Sequence, residues 1–182
     1  MEIQRFDIPG PVLIRPRVFE DARGFFLETY QKQRYEQAGI VGEFVQDNWS
    51  RSRRGTLRGL HYQIRQSQGK LVFVLRGEIF DVAVDLRRGS PGFGRWVGVH
   101  LRAEERHQFY IPPGFAHGFY VLSDVADVFY KCTDYYAPQH ERTLLWNDAD
   151  VGIRWPLEGA PILSEKDQRG TPLSQAEVFE SL

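Results

Sequence analysis

The run Lys70-Leu71-Val72-Phe73-Val74-Leu75-Arg76-Gly77-Glu78-Ile79-Phe80-Asp81-Val82-Ala83-Val84-Asp85-Leu86 decides the fold class. Lys70–Arg76 and Glu78–Leu86 read as two β-strands joined tightly at Gly77. Through the second, Phe80, Val82, Val84 and Leu86 face one way, and Ile79, Asp81, Ala83 and Asp85 the other. Working outward, further strands are expected over Gly94–Leu101, His107–Ile111, Gly118–Leu122 and Asp127–Thr133. Arg88-Gly89-Ser90-Pro91-Gly92, Pro112-Pro113-Gly114 and Ser123-Asp124 supply the turns between them. Helix is scarce. Thr29–Ala38 is one candidate, ended by Gly39, and Ser174–Phe179 is a weaker one. Many short strands with few short helices indicate a mainly β domain, a sandwich or barrel. A jelly roll is one form that leaves a concave interior for a ligand. Its edge strands need covering, which strand exchange in a dimer would do.

The chain has 182 residues, with 23 basic and 24 acidic side chains. No repeat or linker interrupts it, so one domain over residues 1–182, with an N-terminal strand and helix segment and a C-terminal extension, is expected. The balanced charge argues against general nucleic-acid binding. Cys132 is the single cysteine, which excludes an intrachain disulfide and a cysteine-rich zinc site. It also fits the reducing cytosol. Neither a signal peptide nor a membrane span is expected, since no apolar run is long enough.

The chemistry concentrates in Leu57-Arg58-Gly59-Leu60-His61-Tyr62-Gln63 and the following Gly69-Lys70. A neutral imidazole takes a proton, a guanidinium holds a phosphate, and an ammonium stabilises an oxyanion. Together they suggest proton abstraction beside a carbonyl on a phosphorylated substrate. His61 is either a satisfied core histidine or a base, and a base works best with its second ring nitrogen held by a carboxylate. Asp167 is a candidate for that carboxylate, although Ser164-x-x-Asp167 also matches a helix capping box. Alternation puts Val128, Tyr130 and Cys132 on one face, where Tyr130 is a core residue or a proton donor. Arg23 is a solvated cation or, with Arg58, half of a diphosphate clamp, and the adjoining Gly24 and Phe25-Phe26 favour a ligand-facing loop. Gln46-Asp47-Asn48 reads as a polar turn or a contact, and Tyr136 as packing or as a platform for a base.

Pro112-x-Gly114-x-x-His117 is similar to the second motif of the cupins, in which the histidine binds metal. The first cupin motif is broken here: Gln63 stands where a second histidine is needed, and no carboxylate occurs from Ile64 to Gly77. A metal-free pocket is therefore expected. No glycine-rich dinucleotide loop is present.

Taken in order, the motifs resemble those of the dTDP-4-dehydrorhamnose 3,5-epimerase family. They are Phe19-x-Asp21-x-Arg23-Gly24-x-Phe26-x-Glu28, Gln46-Asp47-Asn48, Leu57-Arg58-Gly59-Leu60-His61-x-Gln63, Gly69-Lys70-Leu71-Val72, Pro113-Gly114-Phe115-Ala116-His117-Gly118-Phe119, Tyr130-Lys131, Tyr135-Tyr136, Glu141 and Leu163-Ser164-x-Lys166-Asp167. The resemblance implies a metal-free cupin jelly roll (a double-stranded β-helix), a homodimer, a dTDP-sugar substrate and no cofactor. It makes His61 the base, Asp167 its orienting partner, Tyr130 the acid and Lys70 the enolate stabiliser. Arg23 and Arg58 become diphosphate binders. Phe26, Glu28, Gln46, Asp47, Asn48, His117, Glu141 and Lys166 become further contacts, and Tyr136 stacks on thymine. The double epimerisation stands beside three alternatives: a mono-epimerase or a ketoisomerase of the same scaffold, a nucleotide-sugar-binding cupin without activity, and a metal-dependent cupin oxygenase or isomerase, disfavoured by the missing ligands.

Overall fold

A computed structural model describes residues 1–180. Its strands are β1 (Glu2–Arg5), β2 (Val12–Arg15), β3 (Val18–Asp21), β4 (Gly24–Leu27), β5 (Gln46–Arg53), β6 (Leu57–Gln63), β7 (Lys70–Arg76), β8 (Glu78–Asp85), β9 (Trp96–Arg102), β10 (Gln108–Ile111), β11 (Phe115–Val121), β12 (Val125–Cys132) and β13 (Glu141–Thr143). The helices are α1 (Lys32–Gln37) and α2 (Glu165–Gln168). A six-stranded sheet in the order β1-β2-β10-β7-β12-β5 faces a five-stranded sheet in the order β13-β6-β11-β8-β9. Their strand pairs are antiparallel, and β3–β4 forms a separate hairpin. This is the expected jelly-roll architecture.

The strands at Gly77 differ from a simple hairpin. β7 and β8 lie in opposite sheets, so Gly77 is the corner where the chain crosses between them. Its φ of +79° suits glycine, and a side chain there would collide with Ser123 and the Val125 carbonyl. β8 is buried on both faces. Ile79 and Ala83 join Val72, Val74, Phe109 and Val128 between the sheets. Phe80, Val82, Val84 and Leu86 pack outward beneath the C-terminal segment, against Leu144, Val151, Val178 and Phe179. Each large apolar side chain so buried contributes about 1.5–3 kcal/mol. Two carboxylates also go inside, and each is paired: Asp85 with Arg87 and Ser90, Asp81 with His117.

Both helix expectations need correction. α1 begins three residues later than Thr29, because the Gln31 side chain caps it by accepting the Arg34 N–H. The Thr29 carbonyl is instead taken by Tyr35 Oη and Gln108 Nε2. Ser174–Phe179 is not a helix. One 3-10 turn covers Leu173–Gln175, after which Phe179 N–H and C=O pair with Leu86 and Arg88. Burial of Val178 and Phe179 against β8 outweighs the weak helical propensity.

Candidate active site

The site lies between the two sheets, and a bulge in β6 builds one wall. Across β6 and β11, His61 pairs with His117 and Arg58 with Phe119. Three steps on β6 therefore match two on β11, and the extra residue falls at Gly59–Leu60. Residues three apart on a regular strand face opposite ways. The bulge turns Arg58 and His61 to the same side. Gly59, at φ +129°, and Gly118 allow the two backbones to approach closely: a side chain at Gly59 would meet the Gly118 Cα at 2.6 Å.

His61 Nε2 lies 2.5 Å from Asp167 Oδ1. Both readings of Asp167 hold. Its backbone N–H is capped by Ser164 Oγ at 3.1 Å, which starts α2, while its carboxylate is left for His61. Asp167 is almost fully buried. Burial alone would raise its pKa, but bonds from His61, Ser164 and the Gly59 backbone hold it below the usual carboxylate range. An ionised Asp167 fixes the hydrogen on Nε2 and leaves the His61 Nδ1 lone pair free. Burial lowers the His61 pKa, only partly opposed by Asp167, so the imidazole is neutral near pH 7.

The opposite wall comes from the six-stranded sheet. Tyr130 on β12 pairs with Val72 on β7 and Asn48 on β5; two pairs along, Cys132 aligns with Lys70 and Gln46. Alternation therefore sends Lys70, Tyr130, Gln46 and Asn48 to the same interior face. The Lys70 ammonium stands 6.0 Å from the Tyr130 ring centre and makes no ion pair among the described residues. Enclosure pulls its pKa below the ordinary lysine value, and burial pushes the Tyr130 phenol up to about 12. His61, Lys70, Tyr130, Gln46, Asn48, Tyr136 and Glu141 line one cavity of about 280 Å³. Arg58, Lys166 and Asp167 line an adjoining groove that shares His61. Arg58 is bonded only to Ser52 Oγ and the Arg51 carbonyl, leaving its charge uncompensated among the described residues.

Five expected contacts lie elsewhere. Asp47 falls on the other face of β5 and pairs with Lys131 at 2.8 Å. His117 is buried and does not line the cavity; it is bonded through Nε2 to Asp81 at 2.9 Å, with its ring 6.5 Å from that of Tyr130. Arg23 and Phe26 ride on the β3–β4 hairpin with side chains turned to solvent; Arg23 is 90% exposed and pairs with Asp21. Glu28 pairs with Arg34 beside a separate depression. Asp81, Gln63 and Gln68 were not singled out from the sequence as site residues. Asp81 had one signal, a carboxylate in the middle of a mostly apolar strand. Gln63 had its place in the Leu57–Gln63 motif, and Gln68 no signal beyond its proximity to Lys70.

No group of three or more histidine, cysteine or carboxylate side chains clusters as a metal site among the described residues. The arrangement offers a neutral imidazole on one wall, with a phenol and an ammonium on the other. That set can remove a proton next to a carbonyl, hold the resulting oxyanion and return a proton to the opposite face.

In comparison with known proteins, the family model described as dTDP-4-dehydrorhamnose 3,5-epimerase matches residues 5–175. A Pseudomonas aeruginosa protein of that name is 58% identical over 98% of this chain and 99% of its own length. A Legionella pneumophila dTDP-6-deoxy-D-glucose-3,5-epimerase, solved in complex with dTDP-4-keto-L-rhamnose, superposes with a TM-score of 0.96. It is 51% identical, covering 100% of this chain and 98% of that one. A Bacillus anthracis dTDP-4-dehydrorhamnose 3,5-epimerase with TDP and PPi bound gives a TM-score of 0.91 at 43% identity, over 94% and 98% of the two chains.

Proposed function

The chain belongs to the dTDP-4-dehydrorhamnose 3,5-epimerase family, and we propose that it converts dTDP-4-dehydro-6-deoxy-D-glucose to dTDP-4-dehydro-L-rhamnose. The observation that carries this reading is the opposition of His61, held by Asp167, to Tyr130 and Lys70 across one cavity.

The C4 ketone acidifies the protons on C3 and C5. His61 Nδ1 takes one of them, and the electron pair of the broken C–H bond moves onto the ketone oxygen. The Lys70 ammonium stabilises that enolate. Tyr130 Oη then delivers a proton to the far side of the same carbon, which inverts it. Each inversion leaves an imidazolium and a phenolate. Solvent must take a proton from one and supply one to the other before the second carbon reacts. A phenol with a pKa of about 12 does not remain ionised. Arg58 and Lys166 sit where a diphosphate and its sugar would enter, and the Tyr136 ring provides a surface for thymine.

Arg23, Phe26 and Glu28 belong to the motif set yet lie outside this chain's own cavity. We assign them to the cavity of a second copy in a homodimer, with the hairpin carrying them across. The exposed aromatic side chains of Phe19, Phe25 and Phe26 favour such an arrangement. A cytosolic setting agrees with the lone buried cysteine. No helix of the described chain is long and apolar enough to cross a membrane.

The test is incubation with dTDP-4-dehydro-6-deoxy-D-glucose, with the product trapped by a downstream reductase and its configuration read by NMR. The L-rhamnose configuration is expected. Inversion at one carbon only would reduce the activity to mono-epimerisation. Turnover per chain should also fall on dilution, as the dimer dissociates. Unchanged turnover by a sedimenting monomer would overturn the shared-site assignment.

The shifted groups set the pH profile of kcat/KM. His61 works only when neutral, and its lowered pKa keeps it so down to a pH below 6.5. Activity therefore falls on the acid side only under that value, about tenfold per pH unit. On the alkaline side Lys70 loses its proton below 10.5, before Tyr130 does near 12. An acid limb centred above pH 7 would contradict the assignment of His61.

A further inference from the structure

Three glutamine side chains that line the cavity each bond one short piece of backbone. After β12 the chain leaves the sheet; residues 134–137 belong to no strand, and Tyr136 among them lines the cavity. Their polar groups still need partners. Gln68 Nε2 donates to the Asp134 carbonyl at 2.8 Å. Gln63 Nε2 donates to the Tyr135 carbonyl at 3.2 Å, and Gln63 Oε1 accepts the Ala137 N–H at 2.8 Å. Gln46 Oε1 accepts the Tyr136 N–H at 2.8 Å. Gln63 thus brackets Tyr136, bonding the carbonyl before it and the N–H after it. A residue on a neighbouring β-strand makes the same pair of bonds. The second Gln63 Nε2 hydrogen goes to the Gln66 carbonyl at 2.7 Å, so both of its donors are committed. Gln63 is 4% exposed, so any loss of these bonds leaves buried groups unpaired.

We propose that Gln63 and Gln68, together with Gln46, form a side-chain substitute for a strand that fixes residues 134–137 and so sets the Tyr136 ring as the nucleobase platform. Gln63 and Gln68 are positioning residues that act through Tyr136. The inference rests on the reading of Tyr136 as the surface that stacks on thymine. A short exposed loop held only by its ends would sample many ring positions, and each would have to be reordered on binding. The cradle removes that ordering from the binding step. Neutral amides suit the task, because they add no charge beside an anionic diphosphate.

The test is a double-mutant cycle of Gln63→Ala and Tyr136→Ala, read by calorimetric affinity for dTDP and for inorganic pyrophosphate. Tyr136→Ala should weaken dTDP by about tenfold or more, the contribution of one base–aromatic stack. Gln63→Ala should weaken it similarly and leave pyrophosphate within about twofold. The double variant should bind dTDP no more weakly than Tyr136→Ala alone, since residues acting as one unit are not additive. If Gln63→Ala does not fold, Gln68→Ala replaces it in the same cycle, with a smaller effect of the same sign. Additive losses, an equal loss of pyrophosphate binding, or unchanged dTDP affinity in the glutamine variant would overturn the cradle while leaving the role of Tyr136 intact. Unchanged dTDP affinity in Tyr136→Ala would overturn the platform reading itself, and the cradle with it.

Discussion

Replacing His61 by alanine should abolish hydrogen exchange at both C3 and C5. No other histidine lines the cavity among the described residues: His117 is buried and bonded through Nε2 to Asp81. Removing a positioned base costs about 10²–10⁴-fold, and here one base serves both carbons. The loss should therefore fall equally on the two exchange rates. Measured by NMR in D₂O, exchange at either carbon within about tenfold of wild type would assign the base elsewhere. Binding of dTDP is the control. It should persist, because Arg58 and Tyr136 are untouched and Asp167 stays anchored by Ser164.

The second large effect separates exchange from inversion. Tyr130→Phe keeps the ring that packs between the sheets and removes only the hydroxyl. His61 can still take a proton, exchange it with solvent and return it to the face it came from. Deuterium should thus continue to enter, while net inversion falls by about 10²–10⁴-fold. Product formation at the wild-type rate would show that Tyr130 is a packing residue. Loss of exchange together with inversion would mean that the phenol also contributes to enolate formation.

Much of the architecture was legible because alternation and turn residues act locally. The strands at Lys70–Arg76 and Glu78–Leu86 follow from them directly. That these two strands part company at Gly77 does not, since a tight glycine turn serves a hairpin and a sheet-to-sheet corner equally. Burial of β8 on both faces depends on the C-terminal segment folding over it, a contact between residues nearly a hundred positions apart. Phe179 is extended for the same reason. In the site, His61, Lys70, Tyr130 and Asp167 were legible through their chemistry and the motifs around them. The β6 bulge was not: strict alternation separates Arg58 from His61, and only the register against β11 reunites them. The placement of Asp47 was hidden because Gln46-Asp47-Asn48 reads as a polar turn; the triplet instead opens strand β5, and alternation there turns the middle residue away. Arg23, Phe26 and Glu28 matched the motifs, but a linear pattern does not say that their hairpin stands away from this chain's own cavity. The glutamine cradle was invisible because amide side chains bonded to loop backbone follow no period.

The measurement that bears most directly on the central claim is incubation of the protein with dTDP-4-dehydro-6-deoxy-D-glucose in D₂O without added metal, followed by NMR. Two inversions through solvent-exchanged His61 and Tyr130 place deuterium at both C3 and C5 of the product. Product of the L-rhamnose configuration that keeps its original hydrogen at either carbon would contradict the account. So would the absence of label at both.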